Sequence, residues 1–272
     1  MQVEPFVKWV GGKRQFLSII EERMPVKFGT YYEAFVGGGV LFVDLLPSKA
    51  VLNDKNSEIM NAYKVVRDDP IGVIDYLEVY DKEIKTGGKD YYYKVRQIFN
   101  QRKRQQKLDV EQAALFIFLN KHCFNGVYRL NSDGDFNIAY NNSIAGSFNE
   151  ENLFLVSASL QGVELRNEDF AEVCIKAKKG DFVFLDSPYV PLKDTSFTSY
   201  TSDGFGIEDH LRVVAAFYEL TRRGCYCILM NHNTELIQKM YREFEIEVLY
   251  AKRSVNSNAA ERVCKEVIIK NF

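Results

Sequence analysis

The stretch Gly180–Leu192, GDFVFLDSPYVPL, runs from apolar residues directly into an acid, a serine and a proline. Phe182–Leu185 has the length and the β-rich composition of a strand that is covered on both faces. Asp186 stands at the carboxyl end of this strand, and Pro188 stops regular pairing beyond it. Because ligands of open α/β sheets bind at the carboxyl ends of strands, the stretch predicts a parallel sheet with a functional site at its edge.

Strand and helix patterns alternate on both sides of this stretch, which predicts an α/β fold with a doubly wound parallel sheet. The further predicted elements are a strand at Glu33–Val36, a glycine turn and a helix, a strand at Ala50–Leu52 with a helix after it, a strand within 162–170, a helix near Glu208–Arg222, a strand at Cys225–Met230, a helix near Thr234–Phe244 and a final β segment.

The pattern changes between Tyr63 and Phe148. It becomes helical and rich in Tyr, Lys, Arg and Gln, and it includes an apolar helix at Glu111–Lys121. Residues 127–140, VYRLNSDGDFNIAY, carry Asp133-Gly134 between alternating runs, which is a two-residue hairpin signal. We therefore predict a mainly helical second domain with a β-hairpin at 61–148, inserted into a discontinuous domain of 1–60 and 149–272.

The bulk composition predicts an intracellular protein without a bound metal. The net charge is −2, and the five cysteines are odd in number and never spaced Cys-x-x-Cys. This favours reduced thiols over a disulfide framework or a zinc site. No apolar stretch approaches the ~20 residues of a membrane span, and the amino terminus lacks the apolar core of a signal peptide. We expect no membrane association.

Positive charge is concentrated inside the predicted insertion, where residues 82–129 hold eleven Lys or Arg against four Asp or Glu. Such a run is typical of a surface that follows phosphates. A solvated helix face is the alternative interpretation, above all for Arg102-Lys103-Arg104.

The glycines Gly37, Gly38 and Gly39 let the backbone approach a ligand closely. The Walker pattern is absent because Val40-Leu41 follows, and the dinucleotide pattern is absent because Phe42 stands at its third glycine. Asp54 ends the next strand, where doubly wound folds bind a ribose. Together these residues predict an adenosine-type ligand without a pyrophosphate, which S-adenosylmethionine satisfies; plain turn packing is the alternative.

Six motifs, in order, are similar to those of the Dam-type DNA adenine-N6 methyltransferases (D12 class, alpha group), and they span nearly the whole chain. They are FVKWVGGK (6–13), EAFVGGG (33–39), NDKN (53–56), FLNKHCFNGVYRLNSDGDFN (118–137), LDSPYVPL (185–192) and RSVNSN (253–258). Two departures stand out. Ser187 replaces the first proline of the usual Asp-Pro-Pro-Tyr, and residues 136–141, FNIAYN, replace the usual Phe-Asn-x-Pro followed by an aromatic and a glycine.

The resemblance implies a Rossmann-like methyltransferase sheet and a role for each matched residue. The implied catalytic residues are Asp186, Ser187, Pro188 and Tyr189. The implied S-adenosylmethionine contacts are Trp9, Lys13, Glu33, Phe35, Gly37, Gly39, Asp54, Asp169, Phe170 and Asp186. The implied DNA contacts are Lys8, Phe124, Asn125, Val127, Arg129, Asn137, Ala139, Tyr140, Ser257 and Asn258. Among these, Lys8 and Arg129 would read guanines, Phe124-Asn125 would wedge into the gap left by a flipped adenine, and Val127 and Ala139 would contact a thymine methyl.

Methylation of an adenine amine would explain the residues of the tetrapeptide Asp186–Tyr189. An adenine amine is a poor nucleophile because its lone pair is delocalised into the ring. Acceptor bonds from Asp186 and from the carbonyl of Ser187 would push the nitrogen towards tetrahedral geometry and free the lone pair for in-line attack. Tyr189 would stack on the flipped base. A strand-ending acid before an ordinary turn is the alternative.

We therefore expect S-adenosylmethionine-dependent N6 methylation of adenine in double-stranded DNA, within 5′-GATC and with base flipping. The resemblance further implies a monomer in a bacterial or phage-infected cytoplasm, with a partner restriction endonuclease left open. Two alternatives also stay open. Asp186 argues against cytosine-N4 methylation, whose motif usually begins with Ser. Retention of Asp186, Tyr189 and Asp54 argues against a DNA-binding module with decayed catalysis, which Ser187 and Ala139 would suggest.

Overall fold

The computed structural model describes residues 2–9, 11, 13–190, 205–252 and 263–272. The chain forms two compact units. The helical unit comprises Met1–Arg14, Gly37–Leu46 and Asp54–Asn167, and the sheet unit comprises Gln15–Val36, Pro47–Asn53 and Glu168–Phe272. The predicted boundaries at 60/61 and 148/149 stay a prediction.

The described residues contain nine α-helices and seven strands, which confirms the α/β class. The helices are α1 (Leu17–Arg23), α2 (Val40–Leu45), α3 (Ser57–Asp68), α4 (Pro70–Arg104), α5 (Val110–His122), α6 (Glu150–Ser159), α7 (Phe170–Cys174), α8 (Ile207–Arg222) and α9 (Glu235–Met240). The strands are β1 (Tyr31–Glu33), β2 (Ala50–Asn53), β3 (Glu164–Arg166), β4 (Phe182–Leu185), β5 (Tyr226–His232), β6 (Glu245–Lys252) and β7 (Val263–Lys270). None of the helices in these ranges is both long and apolar enough to cross a membrane.

The sheet unit contributes six of the seven strands, in the order β2-β1-β4-β5-β7-β6. Strands β2, β1, β4 and β5 are parallel, as the alternating pattern predicts. The final β segment is instead two strands, because β7 pairs antiparallel with both β5 and β6. The seventh strand, β3, belongs to the helical unit.

Alternate residues of the sheet build one core face of the sheet unit. Val183 and Leu185 of β4 lie with Leu229 of β5 and Ile269 of β7 in a cluster with α7, α8 and α9. Phe217 of α8 is fully buried there. The intervening residues of β4 face the other side, where Phe182 packs against Phe28 and Tyr31 at ring-centroid distances of 5.6 Å and 5.9 Å. Since β4 is buried on both faces, it reads as an unbroken apolar run.

A single buried amide ties the strand ends together. The side chain of Asn53 donates to the carbonyl of Ala34 at 3.0 Å and to that of Glu168 at 3.1 Å, and it accepts from Glu168 N at 2.9 Å. Its main-chain carbonyl accepts from Val36 N at 2.8 Å. The predicted bounds of this strand, 33–36, are thus wrong: the strand is Tyr31–Glu33. The pairing ends at Glu33, and the next three residues are held by Asn53 instead.

In the helical unit, α4 is interrupted at Gly88, whose φ of 47° and ψ of −128° are not helical. The apolar helix predicted at 111–121 is confirmed as α5, which begins after its capping residue Asp109. The side chain of Asp109 accepts from Gln112 N at 2.9 Å. Helix α5 is largely buried, so its middle, residues 113–119, is apolar on every side and the helix shows no exposed polar face.

The predicted hairpin is present as an antiparallel pair, but its loop is longer than the predicted two residues. Asn131 N donates to Asp135 O at 2.9 Å, so three residues form the loop, and Gly134 takes a φ of 77°. The Asn131 side chain accepts from the amides of Asp133 and Asp135 at 3.1 Å and 2.8 Å, which closes the longer loop. The described arms form no continuous β ladder; isolated bridges, Leu130–Phe136 and Cys123–Tyr140, and single hydrogen bonds join them.

A buried carboxylate fastens the segment after the hairpin to α4. Asp81 accepts from Ser147 N at 2.7 Å and from Ser147 Oγ at 2.6 Å, and its Oδ1 lies 3.7 Å from His122 Nε2. Burial acts to raise the pKa of Asp81, but the nearby His122 ring and the two hydrogen bonds from Ser147 outweigh it, and the pKa is lowered. The carboxylate is therefore ionised and paired.

We expect Asp81→Ala to lower the free energy of unfolding by about 2–4 kcal/mol at pH 7, because it leaves Ser147 without its buried acceptor and removes the carboxylate beside His122. Since the pKa is lower in the folded state, this stability is present above the unfolded value of about 3.9 and is lost as the pH falls through the folded value. Urea titrations from pH 7 down to pH 3 should show the difference from wild type shrinking only below about pH 4. Asp90→Ala, at an exposed position of α4, is the control. An equal loss in both variants would contradict a role for the buried cluster.

Candidate active site

The tetrapeptide Asp186–Tyr189 follows β4 directly, as predicted, and the end of β5 holds it in place. The main chain of Val190, just after it, donates to Asn231 Oδ1 at 2.9 Å. The carbonyl of Val190 lies 2.7 Å from His232 Nδ1. Both partners belong to β5, so hydrogen bonds fix the loop to the neighbouring strand.

Tyr189 is held on two sides. Its hydroxyl donates to Glu266 Oε2 at 2.9 Å, and its ring meets the ring of His232 edge-on at 4.8 Å. Burial, followed by the negative charges of Asp186 and Glu266, raises the pKa of Tyr189 well above its usual value. The phenol is therefore a neutral hydrogen-bond donor.

Ser187, the departure from the family pattern, is 2% exposed. Within the part of the chain that the structure describes, its hydroxyl has no hydrogen-bond partner. The structure gives the side chain no function that a proline would lose.

An aromatic cluster lies at the start of α7. Phe35 contacts Phe170 at a centroid distance of 5.1 Å, and Phe205 meets Phe35 edge-on at 6.0 Å. The guanidinium of Arg212 lies 4.8 Å from the centre of the Phe170 ring and pairs with Asp169. The structure thus brings three predicted cofactor residues, Phe35, Asp169 and Phe170, together.

Glu33 places a second buried acid in the sheet unit. It is 3% exposed at the end of β1, and its carboxylate accepts from Tyr31 OH at 2.8 Å. A buried carboxylate requires a donor or a positive partner. The Tyr31 hydroxyl is such a donor.

In the helical unit, Asp54 and the glycine turn form one arrangement. Asp54 Oδ2 accepts from Gly37 N at 3.0 Å, and Oδ1 accepts from Asn56 N at 2.9 Å. Burial raises the pKa of Asp54, and these two amide bonds oppose the shift. Each carboxylate oxygen keeps a further acceptor position, so the group can also receive two hydroxyls.

Trp9 makes the glycine at position 37 obligatory. Gly37 has a φ of 46°, and a Cβ built there would lie 2.5 Å from Trp9 Cδ1. Trp9 itself stacks on Tyr128 at 6.0 Å. Gly39, with a φ of 64°, precedes α2, and Lys13 is buried with its ammonium donating to the carbonyl of Gly11.

The predicted DNA-contacting residues of the helical unit form one connected, largely exposed surface. Phe124 is 59% exposed, and its amide donates to Ala139 O at 2.8 Å. Arg129 donates to Asn137 Oδ1 at 3.2 Å across the hairpin. The neighbouring Asn125 is exposed and has a left-handed φ of 56°.

Lys8 joins this surface through Asn120. The Asn120 side chain accepts from Lys8 N at 2.7 Å and donates to Lys8 O at 2.8 Å and to Gly126 O at 3.2 Å. Val127 is half-buried. Tyr140 packs inward, stacked on Tyr92 at 5.1 Å. Ser257 and Asn258 lie outside the described residues.

Sequence reasoning missed the support that α4 gives to the hairpin. Tyr92 OH and Arg96 Nη1 donate to Ile138 O at 2.9 Å and 3.0 Å. The Asn100 amide makes two bonds to the main chain of Phe136, at 3.0 Å and 2.8 Å. The spacing of four residues on one helix face was the available signal, because it places the three side chains in a row.

The basic triplet Arg102-Lys103-Arg104 follows on the same helix, and each of its three side chains contacts a partner within the protein. Arg102 pairs with Asp109 and Glu111, Lys103 donates to Gly134 O at 2.8 Å, and Arg104 pairs with Asp135 at 2.7 Å. These partners favour a structural role at the hairpin turn over the phosphate contacts that the charge run suggested. Across the described residues, no group of three His, Cys, Asp or Glu side chains is placed to hold a metal ion.

Comparison with known proteins places these features in one family. The model of the D12 class N6 adenine-specific DNA methyltransferase family matches residues 9–255. The Type II methyltransferase M.MjaIII of Methanocaldococcus jannaschii is 39% identical over 100% of both chains. The Type II methyltransferase M1.LlaDCHI of Lactococcus lactis subsp. cremoris is 35% identical over 100% of this chain and 96% of its own. The DNA adenine methylase of Escherichia coli (strain K12) is 30% identical over 94% of this chain and 91% of its own.

A strand-ending acid and tyrosine, a glycine turn bound to an acid, and a family match over most of the length agree with one another. The chain therefore belongs to the D12 class of N6 adenine-specific DNA methyltransferases.

Proposed function

We propose that this protein methylates the N6 amine of adenine in double-stranded DNA within 5′-GATC, after flipping the adenine out of the duplex. Methyltransferases of this family use S-adenosylmethionine. The observation that carries the proposal is the loop after β4, where Asp186 and Tyr189 stand side by side on a rigid support. The motif resemblance to Dam-type enzymes supports GATC.

Asp186 acts on the amine by accepting one of its hydrogens, and the main-chain carbonyl of Ser187 accepts the other. The nitrogen then becomes more tetrahedral, and its lone pair turns to the methyl group. Both acceptors come from one short loop fixed to β5, so catalysis rests on preorganised positioning.

Tyr189 supplies the face on which the flipped adenine stacks. An enzyme that modifies a base atom inside a duplex must extrude the base, and aromatic stacking offsets part of the lost stacking energy. The hydrogen bond to Glu266 and the edge of His232 fix the plane of this ring before DNA arrives.

The cofactor residues fit S-adenosylmethionine by their chemistry. In the sheet unit, Phe35 and Phe170 offer an aromatic surface for adenine, Asp169 an acceptor, and the buried Glu33 a counter-charge. In the helical unit, Asp54 retains acceptor positions for the ribose hydroxyls, and Gly37 admits close backbone approach. When bound, the cofactor supplies an electrophilic methyl group.

DNA recognition is assigned to the exposed surface around the hairpin. Arg129 and Lys8 are cationic donors for guanine O6 and N7, and the exposed pair Phe124-Asn125 is suited to fill the gap beside the orphaned thymine. Two relatives of this protein are Type II methyltransferases, which supports a restriction–modification setting for it too.

We expect Asp186→Asn to reduce the single-turnover rate of methyl transfer on GATC duplexes by about 10²–10⁴-fold, with DNA affinity unchanged. An amide keeps the shape of the side chain but accepts the amine hydrogen more weakly. Glu172→Gln, at an exposed acid of α7, should keep the wild-type rate. Modified-base sequencing of DNA treated with the wild-type protein identifies the methylated base and site. Methylcytosine in the product, or wild-type turnover by Asp186→Asn, would contradict the proposal.

Ser187→Pro restores the usual tetrapeptide, and we expect turnover equal to or above that of wild type. The acceptor carbonyl is preserved, a buried hydroxyl without a partner among the described residues is removed, and the proline ring restrains φ. Turnover and urea stability should be measured together. A collapse of activity in a variant that still folds would reveal a role for the hydroxyl.

Arg129→Ala should cost about 1–3 kcal/mol at one guanine position and relax discrimination there. The assay compares methylation of GATC with that of each single-base variant. Lys85→Ala, an exposed cation of α4, is the control and should leave the preference among sites unchanged. If Arg129→Ala lowers methylation of every site by the same factor, Arg129 holds a phosphate and does not read a base.

A further inference from the structure

Asn120 is a buried residue of α5 whose side chain binds two segments of the helical unit at once. The residue is 5% exposed. Its side chain accepts from Lys8 N at 2.7 Å and donates to Lys8 O at 2.8 Å and to Gly126 O at 3.2 Å. Both polar atoms of the amide are therefore in use. One side chain thus joins the amino-terminal segment to the turn that follows α5.

The turn also packs directly against Lys8. Gly126 is buried and has a left-handed φ of 65°. A Cβ built at Gly126 would lie 2.5 Å from Lys8 Cβ, so a larger residue there would displace the lysine. The close approach is a second sign that the two segments are fitted to each other.

The same turn presents Phe124 and Asn125, which are both exposed. Asn125 has a left-handed φ of 56°, and Val127 N donates to Phe124 O at 3.3 Å. In a turn this tight, a shift of Gly126 moves the two residues before it. The placement of Phe124-Asn125 therefore depends on the bond that Asn120 makes to Gly126.

We propose that Asn120 is a positioning residue that makes Lys8 and Phe124-Asn125 act as one DNA-reading unit. The guanine that Lys8 contacts then controls how well Phe124-Asn125 fill the gap beside the flipped adenine. The inference rests on the proposed function, which assigns Lys8 to a guanine and Phe124-Asn125 to that gap.

Lys8 needs such support because no helix or strand holds its segment. The helices and strands of the described structure begin only after residues 2–9. A lysine side chain is long and flexible, and it loses rotamer entropy when it is held against one base. With both main-chain groups of Lys8 bonded to Asn120, its backbone is ordered before DNA binds. The bond from Asn120 to Gly126 then passes a displacement of Lys8 on to the turn.

A purely structural role for Asn120 makes a different prediction. A residue that only stabilises the fold would, when removed, lower the free energy of unfolding and weaken base flipping by the same factor on every DNA site. Under the coupling proposed here, flipping depends on the guanine that Lys8 contacts, and this dependence disappears with the Asn120 amide. A thermodynamic cycle with one change in the protein and one in the DNA separates the two roles.

The test measures flipping with 2-aminopurine in place of the target adenine in a GATC duplex, because the fluorescence of this base rises when it leaves the stack. Each G·C pair is replaced in turn by A·T, and Lys8→Ala identifies the pair whose replacement no longer matters. For that pair, replacement should lower the ratio of flipped to stacked base about ten-fold in the wild-type protein. In Asn120→Ala we expect a lower ratio on GATC and a change of less than about two-fold on replacement.

Asn61→Ala is the matched control. Asn61 is a buried amide of the same unit, and its side chain donates to Asp109 O at 3.0 Å. This variant should lose stability in urea but keep the dependence of flipping on the guanine. If Asn120→Ala does not fold, Asn120→Leu fills the space without a hydrogen-bonding group and takes its place in the cycle.

The inference is overturned if flipping by Asn120→Ala depends on the guanine as strongly as in the wild-type protein, or if Asn61→Ala loses the dependence too. It is also overturned if no pair loses its effect in Lys8→Ala. In each of these cases the wild-type protein still flips the adenine, so the proposed function stands. A wild-type protein that gives no fluorescence change on GATC refutes the proposed function, and this inference with it.

Discussion

Burial of β4 on both faces is the constraint on which the sheet unit depends. A strand with apolar neighbours above and below cannot carry polar side chains along its length, since each would need a buried partner. Polar groups can begin only where the strand ends, and there Asp186 appears. Glu33 at the end of β1 follows the same logic. The polar residues of the proposed site therefore lie at one edge of the sheet, where the apolar packing around the strands ends.

Groups at such an edge need support, and two buried amides give it. Asn53 joins the segments that follow β1 and β2 to the segment before α7, and Asn231 of β5 holds the loop after Asp186. An amide both donates and accepts without carrying charge, so it can link loops in the interior without the desolvation cost of an ion. Neutral side chains thus hold the backbone around the proposed catalytic residues.

The predictable features were those encoded locally. The apolar run of β4, the glycine turn and the apolar middle of α5 are each contained in a few consecutive residues, and the sequence motifs indicated the family. What escaped prediction depends on register or on distant pairing. Glu266 meets Tyr189 only through the alignment of β7 with β5. The hairpin loop was assigned two residues because Asp133-Gly134 is a strong local signal, whereas the Asn131 side chain closes a longer loop.

The contacts between α4 and the hairpin also bear on how target recognition can diverge in such a protein. Because its described arms form no continuous β ladder, the hairpin also depends on the helix face of Tyr92, Arg96 and Asn100 for its shape. These bonds reach main-chain carbonyls, so the helix specifies the path of the hairpin and leaves its outward side chains free to vary. The side chains proposed to contact bases can thus be exchanged one at a time while the backbone of the hairpin stays the same. A change in the length of the hairpin, by contrast, requires matching changes at the helix positions that hydrogen-bond to it.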